Sequence, residues 1–284
     1  MSKKVWAFLV VCVVLVPVGL TITPGISPDI RVAVAAEKDL LGDIIERGVI
    51  RVGSTAAARP YCYRDETGKI VGWEIDLANL IAENLGVKLE NVDMPWAGLI
   101  PALQAGRIDL ISPRMLTTLE RAKSVWFCEA LHLAATVAYA RKESGFTSWE
   151  ELNLSKYTVG AISGAVGEEL AKKKLPNAQL KLFQLDTDAT QALLTGRVDA
   201  VCNGNLISAG EVQAYPDKLV VLPGNLRAET TTWAVKQGSP QLSLKFWMDN
   251  FVRKIKITGQ YGEICKKWMG EAYVPWNQFM CSNR

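Results

Sequence analysis

From residue 49 onward, short apolar runs rich in β-branched residues alternate with stretches whose apolar positions fall on one helical face. The first pattern predicts strands and the second amphipathic helices. Val49–Gly53 reads as a strand. A helix follows through Leu77, Leu80, Ile81 and Leu85, with Asp76 as its cap and Gly86 as its stop. Val87–Val92 reads as a strand, Trp96–Ala105 as a helix stopped by Gly106, and Ile108–Ser112 as the next strand. This β-α-β-α rhythm predicts a mostly parallel sheet with helices on both faces.

A second series repeats the rhythm. Thr158–Ala161 is a strand, Val166–Lys173 a helix, and Leu180–Gln184 a strand. Thr187 or Asp188 then caps a helix to Thr195, and Val198–Cys202 is a strand again. Ser239-Pro240 opens a long C-terminal helical stretch, Ser as cap and Pro in the first turn. The run Ala102-Leu103-Gln104-Ala105-Gly106-Arg107-Ile108-Asp109 parallels Ala192-Leu193-Leu194-Thr195-Gly196-Arg197-Val198-Asp199. Each is a helix end, a glycine stop and a buried strand, which predicts two similarly built α/β lobes. Chance convergence on a common unit is the other reading.

The N-terminus breaks the pattern. Lys3 and Lys4 precede an apolar run from Val5 to Leu20, and small residues follow at Ala33–Ala36. That is the form of an export signal, placed at residues 1–35. An uncleaved anchor is the alternative, but Pro17 and Gly19 interrupt a run already short for a membrane span. Val11 before Cys12 argues against lipidation. Either way the body lies outside the cytoplasm, periplasmic or extracytoplasmic. There some of Cys62, Cys128, Cys202, Cys265 and Cys281 can pair; Cys265 with Cys281 is the first expectation and Cys62 with Cys128 the second. A net charge of only +3, with no long basic run, points away from nucleic acid. The chain has one histidine, no phosphate-binding or dinucleotide motif and no metal-ligand spacing. No catalytic residue, cofactor or metal is therefore assigned.

In open parallel sheets, ligands bind beyond the carboxyl ends of the strands. That rule selects Ser54–Arg59, Ser112–Arg114, Ile162–Ala165 and Asn203–Asn205, which two facing lobes would gather into one cleft. Ser163-Gly164-Ala165 precedes a helix, so its backbone N–H groups could hold an anion. Arg121 lies one turn inside a helix that Thr117 or Thr118 could cap, where its guanidinium can meet a carboxylate. Arg114 lies just past a strand end, and Tyr61 and Trp96 could flank a ligand's apolar part. Singly, an Arg on a helix is more often a solvated face and an aromatic more often core; their convergence on the same loops is what carries the reading.

The stretches Ile50-Arg51-Val52-Gly53, Arg59-Pro60-Tyr61, Asp65–Leu77, Trp96–Ile111, Thr118–Phe127, Gly196–Val201 and Gly262–Gly270 resemble, in order, the extracellular solute-binding proteins of polar amino acid ABC importers. The resemblance implies a two-lobed α/β periplasmic-binding-protein-like fold, each lobe a mostly parallel sheet flanked by helices, joined by two hinge strands near Val137–Arg141 and Thr231–Val235. Residues 37–138 would form the first part of lobe 1, 139–230 lobe 2, and 231–284 the return to lobe 1. It further implies a monomer that closes on a small solute and presents it to a membrane permease. In such proteins the ligand's carboxylate is held at Arg121, an aromatic stacks at Tyr61, and the second lobe contributes Ser163, Gly164 and Ala165.

Two positions depart from that pattern. Arg114-Met115-Leu116 stands where a small G-x-T is usual, and Asn203-Gly204-Asn205 stands where an acid for the ligand's ammonium is usual, Gly204 at its place. Arg114 favours an anion. Glu74, Glu129 or Asp186 is the alternative source of negative charge. The expected function is transport binding of an amino acid or related carboxylate, without turnover. The alternative is a periplasmic dehydratase-like enzyme of the same fold acting on a prephenate-like acid. A sensor module, usually followed by a membrane span, ranks last.

Overall fold

A computed structural model describes residues 39–270, in which strands and helices alternate through most of the chain. One sheet runs through the molecule. Its strands lie in the order Gln179–Phe183, Thr158–Ile162, Ala200–Gly204, His132–Arg141, Arg227–Lys236, Leu110–Leu116, Val49–Ser54 and Lys88–Asp93. The three strands at each end pair in parallel. The two long strands between them are antiparallel to each other and to the blocks they join. Two parallel α/β lobes are thus stitched through one pair of central strands.

The pairing along these strands divides by lobe. His132–Thr136 pairs with Arg227–Thr231. Beyond that, residues 137–140 pair with Ala200–Asn203 of the second lobe, and residues 231–236 pair with strands of the first.

The internal similarity seen in the sequence is one unit built twice. Gly106 and Gly196 both end their helices with positive φ (69° and 74°), which glycine adopts without strain. Arg107 N–H then donates to the Ala102 carbonyl and Arg197 N–H to that of Ala192, at 2.9 and 2.8 Å. Asp109 and Asp199 lock the unit to the neighbouring strand. Each carboxylate accepts from a backbone N–H at 2.8 Å, that of Arg51 in one lobe and Thr158 in the other.

Several element ends differ from the expected ones. The first long helix runs Trp73–Leu85, and Asp76 does not cap it. Its first amides donate instead to the carbonyls of Pro60 and Tyr61, at 3.1 and 2.8 Å. Gly72 is required there, because a Cβ would stand 2.2 Å from the Tyr61 carbonyl oxygen. Asp76 accepts from Lys267 and from the Trp268 indole. The Trp96–Ala105 helix divides into a tight turn at Trp96–Gly98 and an α-helix at Leu99–Gln104, whose first turn accommodates Pro101. The helix expected to start at Thr187 or Asp188 starts at Asp186 without a side-chain cap. Gly238 rather than Ser239 precedes the C-terminal helical stretch.

Cys62, Cys128 and Cys202 are buried free thiols, so Cys62 and Cys128 do not pair as expected. The Cys62 thiol is turned to Ser54 Oγ, 3.4 Å away. Burial pushes Cys62 and Cys202 up to about 12. The expected Cys265–Cys281 pair and the expected export signal involve positions outside the described residues. Among the described residues, no helix is long and apolar enough to cross a membrane.

Candidate functional site

The cleft between the lobes holds about 550 Å³ of empty space, part of it open to solvent. Its floor is set by the strand Leu110–Leu116, which is longer than the expected Ile108–Ser112. Arg114 therefore lies inside a strand rather than beyond its end, and its side chain is 6% exposed. Three groups surround it. Glu74 Oε1 is 3.4 Å from its Nε, Asp186 Oδ2 is 3.5 Å from its Nη1, and the Trp96 ring centroid is 4.6 Å from its Cζ. Glu74 comes from the first lobe and Asp186 from the second, so Arg114 bridges the two. Burial opposes its charge, but Asp186 and Glu74 outweigh burial and hold the guanidinium above its ordinary pKa. For Glu74 the balance reverses: burial outweighs Arg114 and pushes the carboxyl up to about 7.

Arg121 stands over the same indole, its Cζ 5.6 Å from the Trp96 centroid. The Thr118 hydroxyl accepts from Arg121 N–H at 3.2 Å, so Thr118, not Thr117, caps this short helix as one of the two expected alternatives. The Arg121 guanidinium donates to two carbonyls, Leu116 of its own lobe at 3.2 Å and Gly164 of the other at 3.1 Å. Among the described residues no carboxylate lies within ion-pairing distance of it. Burial draws its pKa down to about 10, only partly offset by the more distant Glu169 and Glu229.

The expected residues do not all face this space. Tyr61, Trp96, Arg114, Arg121, Ala165, Asn203 and Gly204 line it. Ser112 does not; it is buried beside Glu74, behind Arg114. Nor are the amides of Ser163, Gly164 and Ala165 open to an anion. They donate to the Phe183 carbonyl, the Glu168 carboxylate and the Ile162 carbonyl, at 2.9, 2.8 and 3.0 Å. Gly164 takes part through its carbonyl instead. The next two residues, Val166 and Gly167, open the helix and line the cleft. The sequence reading did not select them, nor Thr136 and Ile207. Thr136 lies on a central strand, where only tertiary pairing brings it to the site.

Of the three acids expected as alternative sources of negative charge, one lines the cleft. Asp186 lines the cleft, its Oδ1 accepting from Asn203 Nδ2 at 2.8 Å. Glu129 is elsewhere, paired with Arg253. Gly204 has φ −61°, and a Cβ there would meet only Ile207 Cδ1, at 3.8 Å. Nothing in the backbone demands glycine there.

Two lobes on a shared pair of strands, with a charged cleft between them, agree with what the chain matches. Residues 50–271 match the bacterial extracellular solute-binding proteins, family 3. The chain belongs to that family. It is 30% identical to the ABC transporter glutamine-binding protein GlnH of Bacillus subtilis (strain 168), over 83% of this chain and 86% of that one. It is 26% identical to a cyclohexadienyl dehydratase of Pseudomonas aeruginosa, over 66% and 71%. Among solved structures, an ancestral arginine-binding protein bound to arginine superposes with a TM-score of 0.73 at 34% identity, covering 79% of this chain and 99% of that one. The chain is thus an extracellular solute-binding protein of the ABC-importer kind.

Proposed function

We propose that the cleft closes on a small solute bearing a carboxylate, an amino acid or a relative of one, and that the closed form is handed to a membrane permease. The observation that carries this is Arg121. It is a cation in the cleft with no carboxylate partner among the described residues, already oriented by carbonyls of both lobes. An incoming carboxylate would compensate a charge that burial now opposes, and by touching both lobes it would favour closure. The lobes pivot where the central strands pair with each other, at residues 132–136 and 227–231. With that pivot, residues 39–131 and 232–270 move as one body and residues 137–226 as the other, in place of the boundaries expected at 138/139 and 230/231, the protein acting as a monomer.

Binding is favoured over turnover. The dehydratase relative and the raised Glu74 carboxyl, a possible proton donor near neutral pH, support an enzymatic reading. Glu74 is buried, however, and Arg114 stands between it and the cleft. The test is a thermal-shift screen of amino acids and small carboxylates on the wild type and on Arg121→Ala. A ligand at about 100 times its Kd stabilises by about 2.7 kcal/mol. A hit recovered unchanged and lost in the variant supports the binding reading. A hit that is consumed supports the dehydratase.

A further inference from the structure

We propose that Arg114 is a resident cation that fills the cation subsite of the cleft, so that the solute's remaining body is uncharged or anionic and cationic solutes are shut out. This rests on the reading of Arg121 as the carboxylate clamp. The arrangement around Arg114 is that of a bound guanidinium. It has an aromatic face at 4.6 Å, a carboxylate from one lobe at 3.4 Å and a carboxylate from the other at 3.5 Å. A free guanidinium solute would need those same partners. Here the chain supplies the guanidinium on a tether, from the strand Leu110–Leu116.

The remaining valences agree. Among the described residues, Arg114 Nε and Asp186 Oδ2 are buried without a hydrogen-bond partner, and the Ser112 hydroxyl stands against Glu74. The pocket is thus a charge-compensated set held by Coulomb attraction rather than a closed hydrogen-bond network. A second cation entering would find both acids engaged and two guanidinium groups, Arg114 and Arg121, over the one indole. Repulsion at such separations is large in a partly dry cleft. Ala134, Ala135, Ile162 and Ile207 leave an apolar wall for an uncharged body.

The experiment removes the tethered cation and offers it back from solution. Arg114→Gly should leave an acidic hole between Glu74, Asp186 and Trp96. The variant is expected to melt at higher temperature in millimolar ethylguanidinium chloride than in equal sodium chloride, and to bind L-arginine at least about tenfold tighter than the wild type. A folded variant that rejects both cations overturns the proposal. Should the variant not fold, the wild type decides. Binding of L-arginine or L-lysine as tight as that of L-glutamine and succinate overturns the proposal, and exclusion of the two cations alone supports it. Arg121→Ala separates the two readings. If it still binds the solute that the wild type binds, the carboxylate clamp fails, while uptake of ethylguanidinium by Arg114→Gly continues to support the resident cation.

Discussion

The two ends of the cleft each present a guanidinium to Trp96, and they differ in what surrounds it. At the Arg114 end the charge is matched from both sides, by Glu74 and Asp186. At the Arg121 end it donates to two carbonyls, and among the described residues no carboxylate pairs with it. The first arrangement is complete without a ligand and the second is not. A buried ion pair is costly to break from one side, because the surviving charge stays in a poor solvent. An uncompensated cation is the reverse: removing it relieves the empty protein and harms only the complex. The same residue type thus serves as structure at one end and as a receptor at the other.

The sharpest way to break this comparison is Arg114→Met. Met keeps a flexible stem against Trp96 but leaves two buried acids without their cation. The expected loss is about 3–5 kcal/mol of folding stability, read by urea melts at pH 8. Adding Glu74→Gln should recover much of it. A wild-type melting curve for the single variant would show that Arg114 is not structural.

Next in size is Arg121→Ala. Its expected cost is about 3 kcal/mol of binding free energy, roughly a hundredfold in Kd by calorimetry. The empty protein should be no less stable than the wild type. A variant that binds normally would remove the basis of the proposed function, and one that melts early would erase the contrast with Arg114.

The Glu74 carboxyl allows a subtler test, through pH. Its folded pKa is raised from 4.5 to about 7 by burial, against the pull of Arg114 and with a smaller contribution from Asp186. Between those values the unfolded chain releases a proton that the folded chain keeps, so wild-type stability falls as pH rises through the window. Glu74→Gln lacks that proton. Its stability relative to wild type should rise by about 2–3 kcal/mol from pH 4.5 to pH 7 and then level off. His132 acts in the opposite sense, since burial lowers it to about 3 and stability is lost as pH falls below its ordinary value of 6.5. It is common to both proteins and cancels in the difference. A flat difference would mean that Arg114 keeps Glu74 ionised.

What the sequence revealed of this follows its local chemistry. The helix–Gly–strand units were legible because each turn is closed by near-neighbour bonds, Arg107 to Ala102 and Arg197 to Ala192, across Gly106 and Gly196. Arg121 was legible for the same reason, since Thr118 caps its own turn. The pairing of Arg114 with Asp186 was not, because it joins residues of different lobes, far apart in the sequence. The Ser163–Ala165 loop misled for a related reason. A loop before a helix suggests open amides, and only the fold shows that Phe183, Glu168 and Ile162 already occupy them. The helix cap expected at Asp76 failed because the hairpin carbonyls of Pro60 and Tyr61 reach those amides first.

The smallest expected effect tests Gly204, which lines the same cleft. Gly204 lies at the end of Ala200–Gly204 with room for a side chain and no positive φ. An aspartate there adds a carboxylate to a lining whose one other acid, Asp186, already serves Arg114 and Asn203 among the described residues. A solute with a free ammonium would gain a charge-assisted hydrogen bond, and a carboxylate without an amine would gain only repulsion. Gly204→Asp should therefore tighten binding of L-glutamine relative to glutarate by about tenfold. The ratio matters more than either affinity, because it cancels any change in closure. An unchanged ratio would mean that the solute's amine does not face Gly204, and that Asp186 alone sets the acidic side of the cleft.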